Sequence, residues 1–333
     1  MNIKLVAIVK DEAAYLSEWI FHHLYFGFDH IDIYLNYTSD NSEAIINKIA
    51  KDNPVSLYSQ AEKLAIPKAL ATDKFLSKRF LRYNTLQARA YADAVEKTIN
   101  SQMFTHIMFL DIDEFWTPID FKKSIKDVLS ELSFPDVASF YWKNKVFEDE
   151  LFLRPYQEQI FYLDNPHYKT ILKVSDDIIV MNTHRSLHQL EMSQQGDRYN
   201  EKAMMNNAEY SFILHRFQRH ETEYISMLGR GDATSPEGFK LKFTRTGFLC
   251  PENPESLNFS HHLLVEYNRN YQKFLESNEL EALIEQGRSY VLERKQMVIE
   301  YVKHSLEACK VIQKVFPGTK VLESIHKQID DVN

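Results

Sequence analysis

Strand patterns and helix patterns alternate through the first 110 residues, and this alternation restricts the chain to very few folds. A β-branched run at residues 3–9 is followed by apolar positions at helical spacing, with Asp11 as the predicted N-cap. A strand–helix order that repeats in this way predicts a parallel sheet with helices on both faces. The other predicted elements are strands at residues 31–35, 55–58 and 107–110 and helices at residues 45–49 and 67–99.

The order of the patterns changes after Trp116. Short strands are predicted at residues 137–142, 159–163, 170–174 and 178–181, as antiparallel or mixed additions to the sheet, and the pattern at 211–217 is ambiguous. From residue 262 onward, apolar positions recur at helical spacing. We therefore predict an α/β domain at residues 1–235 and a mainly helical accessory region at residues 236–333. The predicted linker lies around residues 235–260, and the polar segment 194–207 is the predicted mobile loop.

Glycine is scarce, with eight among 333 residues and none between Gly27 and Gly196. Loops that cradle phosphates need glycines at fixed spacing, so the sequence argues against dinucleotide-binding Rossmann enzymes and P-loop NTPases. The formal net charge of −8 argues against nucleic acid as the partner.

The sequence also indicates a compartment. Cys250 and Cys309 form no CxxC pair, which favours a reducing environment. The apolar run at residues 5–9 is too short for a signal peptide, and no stretch approaches the roughly 20 apolar residues that cross a bilayer. We predict a cytoplasmic protein, for which peripheral contact with the inner membrane is left open.

The strongest local motif is FLDIDEF at residues 109–115. At an extended strand end, residues two apart face the same side, so Asp111 and Asp113 are expected about 7 Å apart. At an effective dielectric near 20, two such charges repel by about 2.5 kcal/mol. A Mg²⁺ or Mn²⁺ ion that also binds a diphosphate would relieve this repulsion at the carboxyl edge of the sheet. The alternative is a solvated acidic turn.

Three segments, in order, carry a resemblance to a known family: VAIVKDEAAYLSEWIFHHLYFGFDHIDIYLNYTSDNS, FLDIDEFW and ILHRFQRHETEYISMLGRG. Together they resemble the glycosyltransferases of family 2 and of the related family 92, which have the GT-A fold, a Rossmann-like mixed sheet flanked by helices. The sequence departs from the family pattern at Asp11, usually Asn, and at Leu35, usually acidic. Arg216-Phe217 stands where Tyr is usual, and Arg219 where Lys is usual.

The resemblance implies roles for particular residues. Asp113 would bind the metal, and Glu114 would support the loop. Surface Lys and Arg are otherwise usually solvated, a histidine is as often structural as a ligand, and residues 10–12 fit a helix-capping turn equally well. Predicted metal ligands are Asp111, Asp113, His184 and His215, and predicted nucleotide contacts are Lys10, Asp11, Glu12, Asn36, Asp40, Asp111, Lys169, Arg219 and Arg230. The acceptor needs a carboxylate base, for which Glu148 and Asp149 are the candidates.

By this resemblance, we expect a hexosyltransferase that uses Mn²⁺ or Mg²⁺ and a nucleotide sugar, expected to be UDP-linked. The acceptor would be a glycan or glycolipid of lipopolysaccharide or capsule assembly. The C-terminal helices could bind the acceptor, pair two copies of the chain or rest on the membrane. One alternative is a non-catalytic glycan-binding or scaffold protein with this fold. A DxD phosphohydrolase of the haloacid dehalogenase type ranks lower, because Phe115 stands where that chemistry needs Thr.

Overall fold

The computed structural model describes residues 1–64, 86–175, 178–180, 186–188, 209–231, 241–242, 244–304 and 314–321. The helices are α1 (Ala13–Tyr25), α2 (Ser42–Ile49), α3 (Leu86–Ser101), α4 (Ile125–Glu131), α5 (Glu221–Leu228), α6 (His261–Ser277) and α7 (Glu281–His304), with a 3₁₀ turn at Ala61–Lys63. The strands are β1 (Ile3–Val9), β2 (His30–Leu35), β3 (Val55–Tyr58), β4 (His106–Phe109), β5 (Glu114–Pro118), β6 (Val137–Val146), β7 (Gln159–Lys173), β8 (Ile178–Val180), β9 (Ser186–His188), β10 (Ser211–His215) and β11 (Glu255–Asn258).

Nine strands form one mixed sheet in the order β3-β2-β1-β4-β7-β6-β10-β5, and β11 pairs with β7. Strands β1 to β4 run parallel, as predicted. Beyond β4 the sheet becomes mixed, because β7 is antiparallel to both β4 and β6, whereas β10 runs parallel to β6. The predicted α/β class, a mixed sheet flanked by helices, is therefore confirmed.

Alternation along β1 supplies both faces of the sheet with core residues. Leu5, Ala7 and Val9 belong to a core that also contains buried residues of α1, α2, α6 and α7. Val6 and Ile8 belong to the core on the opposite face, which contains α3. The C-terminal helices thus share a hydrophobic core with the N-terminal sheet. The predicted division at residues 235 and 236 falls outside the described residues and stays a prediction.

Several local predictions need correction. The predicted linker contains β11, and the strands predicted at 159–163 and 170–174 are one continuous strand, β7. The ambiguous segment at 211–217 contributes β10, and β5 and α4 were not predicted. Short elements of five to seven residues carry too few periods for pattern analysis to identify them. The predicted mobile loop at 194–207 lies outside the described residues.

Within the described parts of the chain, no helix combines the length and apolar character that crossing a bilayer requires.

Candidate active site

The acidic motif forms a turn rather than an extended strand end. Strand β4 stops at Phe109, and the backbone N–H of Glu114 donates to the carbonyl oxygen of Asp111 at 3.0 Å. The carboxylate of Glu114 in turn accepts from the Asp111 N–H at 2.9 Å. The prediction that Asp111 and Asp113 project together from an extended strand is therefore wrong, because a hydrogen-bonded turn separates them.

Lys169, predicted to contact the diphosphate, lies beneath this turn. Its Nζ is 3.0 Å from Oδ2 of Asp111 and 2.9 Å from Oε2 of Glu114. Burial raises the pKa of the Glu114 carboxyl well above its usual value, and the Lys169 charge opposes that rise. Burial lowers the pKa of Lys169, but Asp111 and Glu114 outweigh burial, so the net pKa is raised and the ammonium stays charged. Gln87 of α3 donates to the other oxygen of Asp111 at 3.0 Å.

Asp113 faces His215, which lies at the end of β10. Oδ2 of Asp113 and Nε2 of His215 are 3.7 Å apart, and both side chains are largely buried. Nδ1 of His215 lies 3.0 Å from Oδ1 of Asn144 on the paired strand β6. Because this amide oxygen can only accept, Nδ1 must carry the proton, which leaves the Nε2 lone pair facing Asp113 when the ring is neutral.

The pKa shifts of Asp113 and His215 have opposite electrostatic and burial contributions. Burial lowers the pKa of His215, which favours the neutral ring. Burial would raise the pKa of Asp113, but His215, Arg219 and Arg245 outweigh burial and lower it. Asp113 is therefore ionised at neutral pH.

Helix α1 holds the backbone of the acidic turn in place. Nε1 of Trp19 donates to the carbonyl oxygens of Asp111 at 3.0 Å and of Glu114 at 2.8 Å. Nε2 of His22 is 2.8 Å from the carbonyl oxygen of Trp116, and Nε2 of His23 accepts from the Trp116 N–H at 3.3 Å. The helical spacing of apolar positions predicted this helix but not these contacts. The available signal was the polar ring atoms of Trp19, His22 and His23 on its buried side.

The start of α1 is capped by a neighbouring loop, not by Asp11. The N–H of Ala13 donates to Oδ2 of Asp40 at 2.8 Å, and that of Glu12 donates to Oγ of Ser42 at 3.2 Å. The prediction of Asp11 as N-cap is wrong, because its Oδ1 accepts from the Ser39 N–H at 2.6 Å. Asp11 and Asp40, both predicted nucleotide contacts, thus fix the two loops at the carboxyl ends of β1 and β2.

Glu12, Arg219 and Arg230 form a charged cluster beside this loop. One guanidinium nitrogen of Arg219 is 3.3 Å from Oε2 of Glu12, and Arg230 pairs with Oε1. The Arg219 guanidinium also lies over the Tyr15 ring, 3.6 Å from its centre. The structure therefore brings together three of the residues predicted to contact the nucleotide. Lys10 and Asn36 are buried nearby, at the ends of β1 and β2.

The two candidate bases differ in their surroundings. Glu148 is buried and forms a bidentate pair with Arg216, with 3.0 Å between Nε and Oε1. Burial would raise the pKa of Glu148, but Arg216 and Lys145 lower it. Its low basicity makes Glu148 a poor proton acceptor, whereas Asp149 is exposed. His184, a predicted metal ligand, lies outside the described residues.

Among the described residues, no group of three or more His, Cys, Asp or Glu side chains is arranged to hold a metal ion. The Asp113–His215 pair offers two donor atoms, one in the turn before β5 and one at the end of the adjacent strand β10. Two protein donors suit an ion that completes its coordination with substrate phosphates and water. The Asp111 carboxylate, also a predicted metal ligand, contacts Lys169 and Gln87.

A comparison with family models supports the resemblance to glycosyltransferases. Residues 5–169 match the model described as glycosyltransferase family 92. The mixed sheet with helices on both faces is accordingly the GT-A fold that the sequence predicted, and the chain is a glycosyltransferase. His215, Arg219 and Arg230 lie C-terminal to the matched range; strand β10 brings His215 to Asp113, and Glu12 pairs with both arginines.

Solved structures give weaker likenesses. S. aureus TarS 1–349 in complex with UDP-GlcNAc is 11% identical, with 90% of this chain and 91% of that chain covered, at a TM-score of 0.36. HddC from Yersinia pseudotuberculosis is 11% identical, with 52% of this chain and 77% of that chain covered, at a TM-score of 0.26. No curated protein matches the chain. The family assignment therefore comes from the family model and not from these structures.

Proposed function

We propose that this glycosyltransferase moves a hexose from a nucleotide sugar, expected to be UDP-linked, to a hydroxyl group of a glycan or glycolipid acceptor. The observation that carries the proposal is the Asp113–His215 pair, 3.7 Å apart where the acidic turn meets the end of β10. A carboxylate and a neutral imidazole at the carboxyl edge of a sheet can hold a divalent cation next to a ligand in the crevice.

The residues present fit Mn²⁺ or Mg²⁺. Asp113 would supply an oxygen and His215 the Nε2 lone pair, and Asn144 would keep the imidazole in the required tautomer. When bound, the ion would neutralise charge on the departing nucleoside diphosphate. The remaining positions of the ion are left to substrate oxygens and water.

The cations near Glu12 support a diphosphate site. Arg219 and Arg230 both pair with Glu12, which fixes two guanidinium groups beside the N-terminus of α1. Arginine suits bidentate contact with phosphate oxygens, and a preorganised group loses little entropy on binding. Asp111 and Lys169, held together beneath the turn, would then position the turn under the nucleotide.

Transfer to a hydroxyl group requires a carboxylate that removes the proton. Asp149 is the better of the two predicted candidates, because it is exposed and Glu148 is paired with Arg216. In this proposal Glu148 and Arg216 hold the acceptor segment, and Asp149 takes the proton.

The proposal includes three broader expectations. The product belongs to lipopolysaccharide or capsule assembly, the chain acts in the cytoplasm with peripheral contact to the inner membrane, and the C-terminal helices allow two copies to associate. Apolar side chains exposed on α6 and α7, namely Val265, Leu292, Met297 and Tyr301, support the last two expectations.

Metal and nucleotide binding provide the test. Isothermal titration calorimetry with Mn²⁺ and UDP, followed by assays of UDP release from a panel of UDP-sugars, should show metal-dependent binding and turnover. Asp113→Asn and His215→Gln should each lower turnover by about 100-fold or more. Their matched controls, Asp136→Asn and His261→Gln, change exposed members of surface ion pairs and should retain activity. Full turnover by Asp113→Asn would refute the metal site.

A non-catalytic glycan-binding protein is the second candidate. It is favoured by the pairing of charged groups within the site, because Lys169 already neutralises Asp111 and Glu12 already engages Arg219 and Arg230. A chain that binds neither UDP nor Mn²⁺ would support this candidate over the transferase.

A further inference from the structure

A cavity of about 480 Å³ lies beside the acidic turn, on the face of the sheet covered by α1, α6 and α7. Residues of α1, of the turn, of the segment after β6 and of both C-terminal helices line it. Its volume falls within the range of small-molecule sites in proteins, which runs from about 300 to 1,000 Å³. Among the predicted metal and nucleotide residues that the structure describes, Arg219 alone lines it.

Aromatic rings form part of the cavity wall. Tyr15, Phe115, Phe152 and Tyr271 contribute to its wall. Three of these rings also lie against guanidinium groups, since Arg219 is 3.6 Å from the centre of Tyr15, Arg154 is 4.4 Å from that of Tyr271 and Arg288 is 5.1 Å from that of Phe152. Cation–π contacts of this kind limit the movement of the rings. Fixed rings bordered by hydrogen-bonding groups suit a flat ligand with apolar faces and polar edges, such as a sugar ring.

The charges of the cavity are internally balanced. Each of its four arginines pairs with a carboxylate, namely Arg154 with Glu18 at 2.6 Å, Arg288 with Glu285 at 2.6 Å, Arg219 with Glu12 at 3.3 Å, and Arg216 with Glu148. Glu281 is an additional acid in the lining. The lining holds these four arginines and three glutamates, Glu18, Glu281 and Glu285, so it carries no large excess of either charge, and a neutral ligand avoids repulsion from Glu281.

The cavity is also adjacent to the proposed reaction centre. Ile112, which lines it, stands between Asp111 and Asp113 in the turn. Arg216 lines it as well, and its backbone N–H donates to the carbonyl oxygen of Asp113 at 2.7 Å. A ligand in the cavity would thus lie one residue away from both members of the proposed metal pair.

We propose that this cavity binds the acceptor and that the acceptor unit it selects is a neutral saccharide. The proposal rests on the proposed glycosyl transfer, which it extends by naming the acceptor class and its site. The rings provide the stacking surface, the arginine and glutamate pairs provide donors and acceptors for hydroxyl groups, and the balanced charge disfavours acidic sugars.

Saturation-transfer NMR with the full-length protein tests the site without turnover. The probes are the methyl glycosides of glucose, galactose, mannose and N-acetylglucosamine, with methyl glucuronide as the acidic counterpart. At least one neutral glycoside should receive saturation from aromatic protons of the protein, and methyl glucuronide should receive much less. Gln272→Trp, which fills the cavity mouth from an exposed position on α6, should weaken binding by about tenfold.

Two further variants complete the test. Lys273→Trp is the matched control, because Lys273 is the exposed next residue on α6 and does not line the cavity. Gln272→Arg fills the same mouth with a flexible side chain and provides a second test if the Trp variant folds poorly. Equal binding by wild type and both Gln272 variants, absence of binding by every neutral glycoside, or preference for methyl glucuronide would overturn the proposal.

Kinetics separate this proposal from the proposed function. In the Gln272 variants, hydrolysis of the UDP-sugar without acceptor should be unchanged, while UDP release stimulated by a glycoside should fall. A parallel fall in both rates would assign the cavity to the donor and overturn the acceptor assignment. Failure of wild-type protein to bind or hydrolyse any UDP-sugar, with glycoside binding intact, would instead refute the transferase and leave the saccharide site in place.

Discussion

Replacing Lys169 by methionine should destabilise the protein strongly, and by an amount that depends on pH. The Lys169 ammonium is 1% exposed and pairs with Asp111 at 3.0 Å and Glu114 at 2.9 Å. Removing one partner of a buried ion pair leaves the other charge uncompensated and costs about 3–5 kcal/mol. Glu114 is the carboxylate most affected, because it is fully buried.

The pH dependence follows from the pKa of Glu114. Burial already raises this pKa well above its usual value, and without Lys169 it should rise further. The folded Lys169→Met variant then binds a proton that its unfolded chain does not bind at neutral pH. Lowering the pH therefore stabilises the variant relative to wild type, by about 1.4 kcal/mol per pH unit while the pH lies between the Glu114 pKa of folded wild type and the higher pKa of the folded variant. Between pH 8 and pH 6, up to about 2.7 kcal/mol of the loss should be recovered.

Urea unfolding at pH 8 and at pH 6, followed by circular dichroism, measures both effects. Lys173→Met is the control on the same strand, because Lys173 and Asp136 form an exposed pair at 3.1 Å and should contribute little. The double variant Lys169→Met with Glu114→Gln should recover part of the stability at pH 8. A Lys169→Met variant within 1 kcal/mol of wild type, or one whose loss is the same at both pH values, would refute the reasoning.

Three further predictions concern the contacts that hold the site. Burial lowers the pKa of His22 to about 3. The free energy of unfolding should therefore fall as the pH drops below the unfolded pKa near 6.5, by about 2 kcal/mol at pH 5. In unfolding experiments at several pH values, His22→Gln should remove that part of the loss. Gly287→Ala should lower the melting temperature, because the new Cβ would lie 2.7 Å from Cβ of Ala13. This clash should outweigh the higher helix propensity of alanine. A higher melting temperature would contradict the predicted clash. Trp19→Phe removes the N–H that donates to the Asp111 and Glu114 carbonyl oxygens. Calorimetry should then show weaker Mn²⁺ binding, and the free energy of unfolding should fall by about 1–3 kcal/mol. Unchanged Mn²⁺ affinity would show that the turn does not position the metal site.

The C-terminal helices contribute directly to the proposed site. Arg294 of α7 lies 3.3 Å from Oδ2 of Asp11, and Gly287 allows the same helix to approach the start of α1. Residues of α6 and α7 also line the cavity proposed for the acceptor. The helices thus take part in positioning the loop at the end of β1, in addition to covering the sheet.

The sequence by itself determined the α/β class, the parallel order of the first four strands and the position of the acidic motif after β4. These features depend on local periodicity, because alternation in a strand and helical spacing of apolar residues are visible within one segment. The ordered motifs also indicated the family, and the family model confirmed it over residues 5–169.

Only the tertiary structure decided which partner each charged side chain has. Asp111 and Asp113 look equivalent in the sequence, yet one pairs with Lys169 of β7 and the other faces His215 of β10. Capping of α1 by Asp40, and the pairing of Glu148 with Arg216, likewise join residues from separate segments. Such contacts depend on strand order and register, which place distant segments side by side and leave no periodic signal in either one.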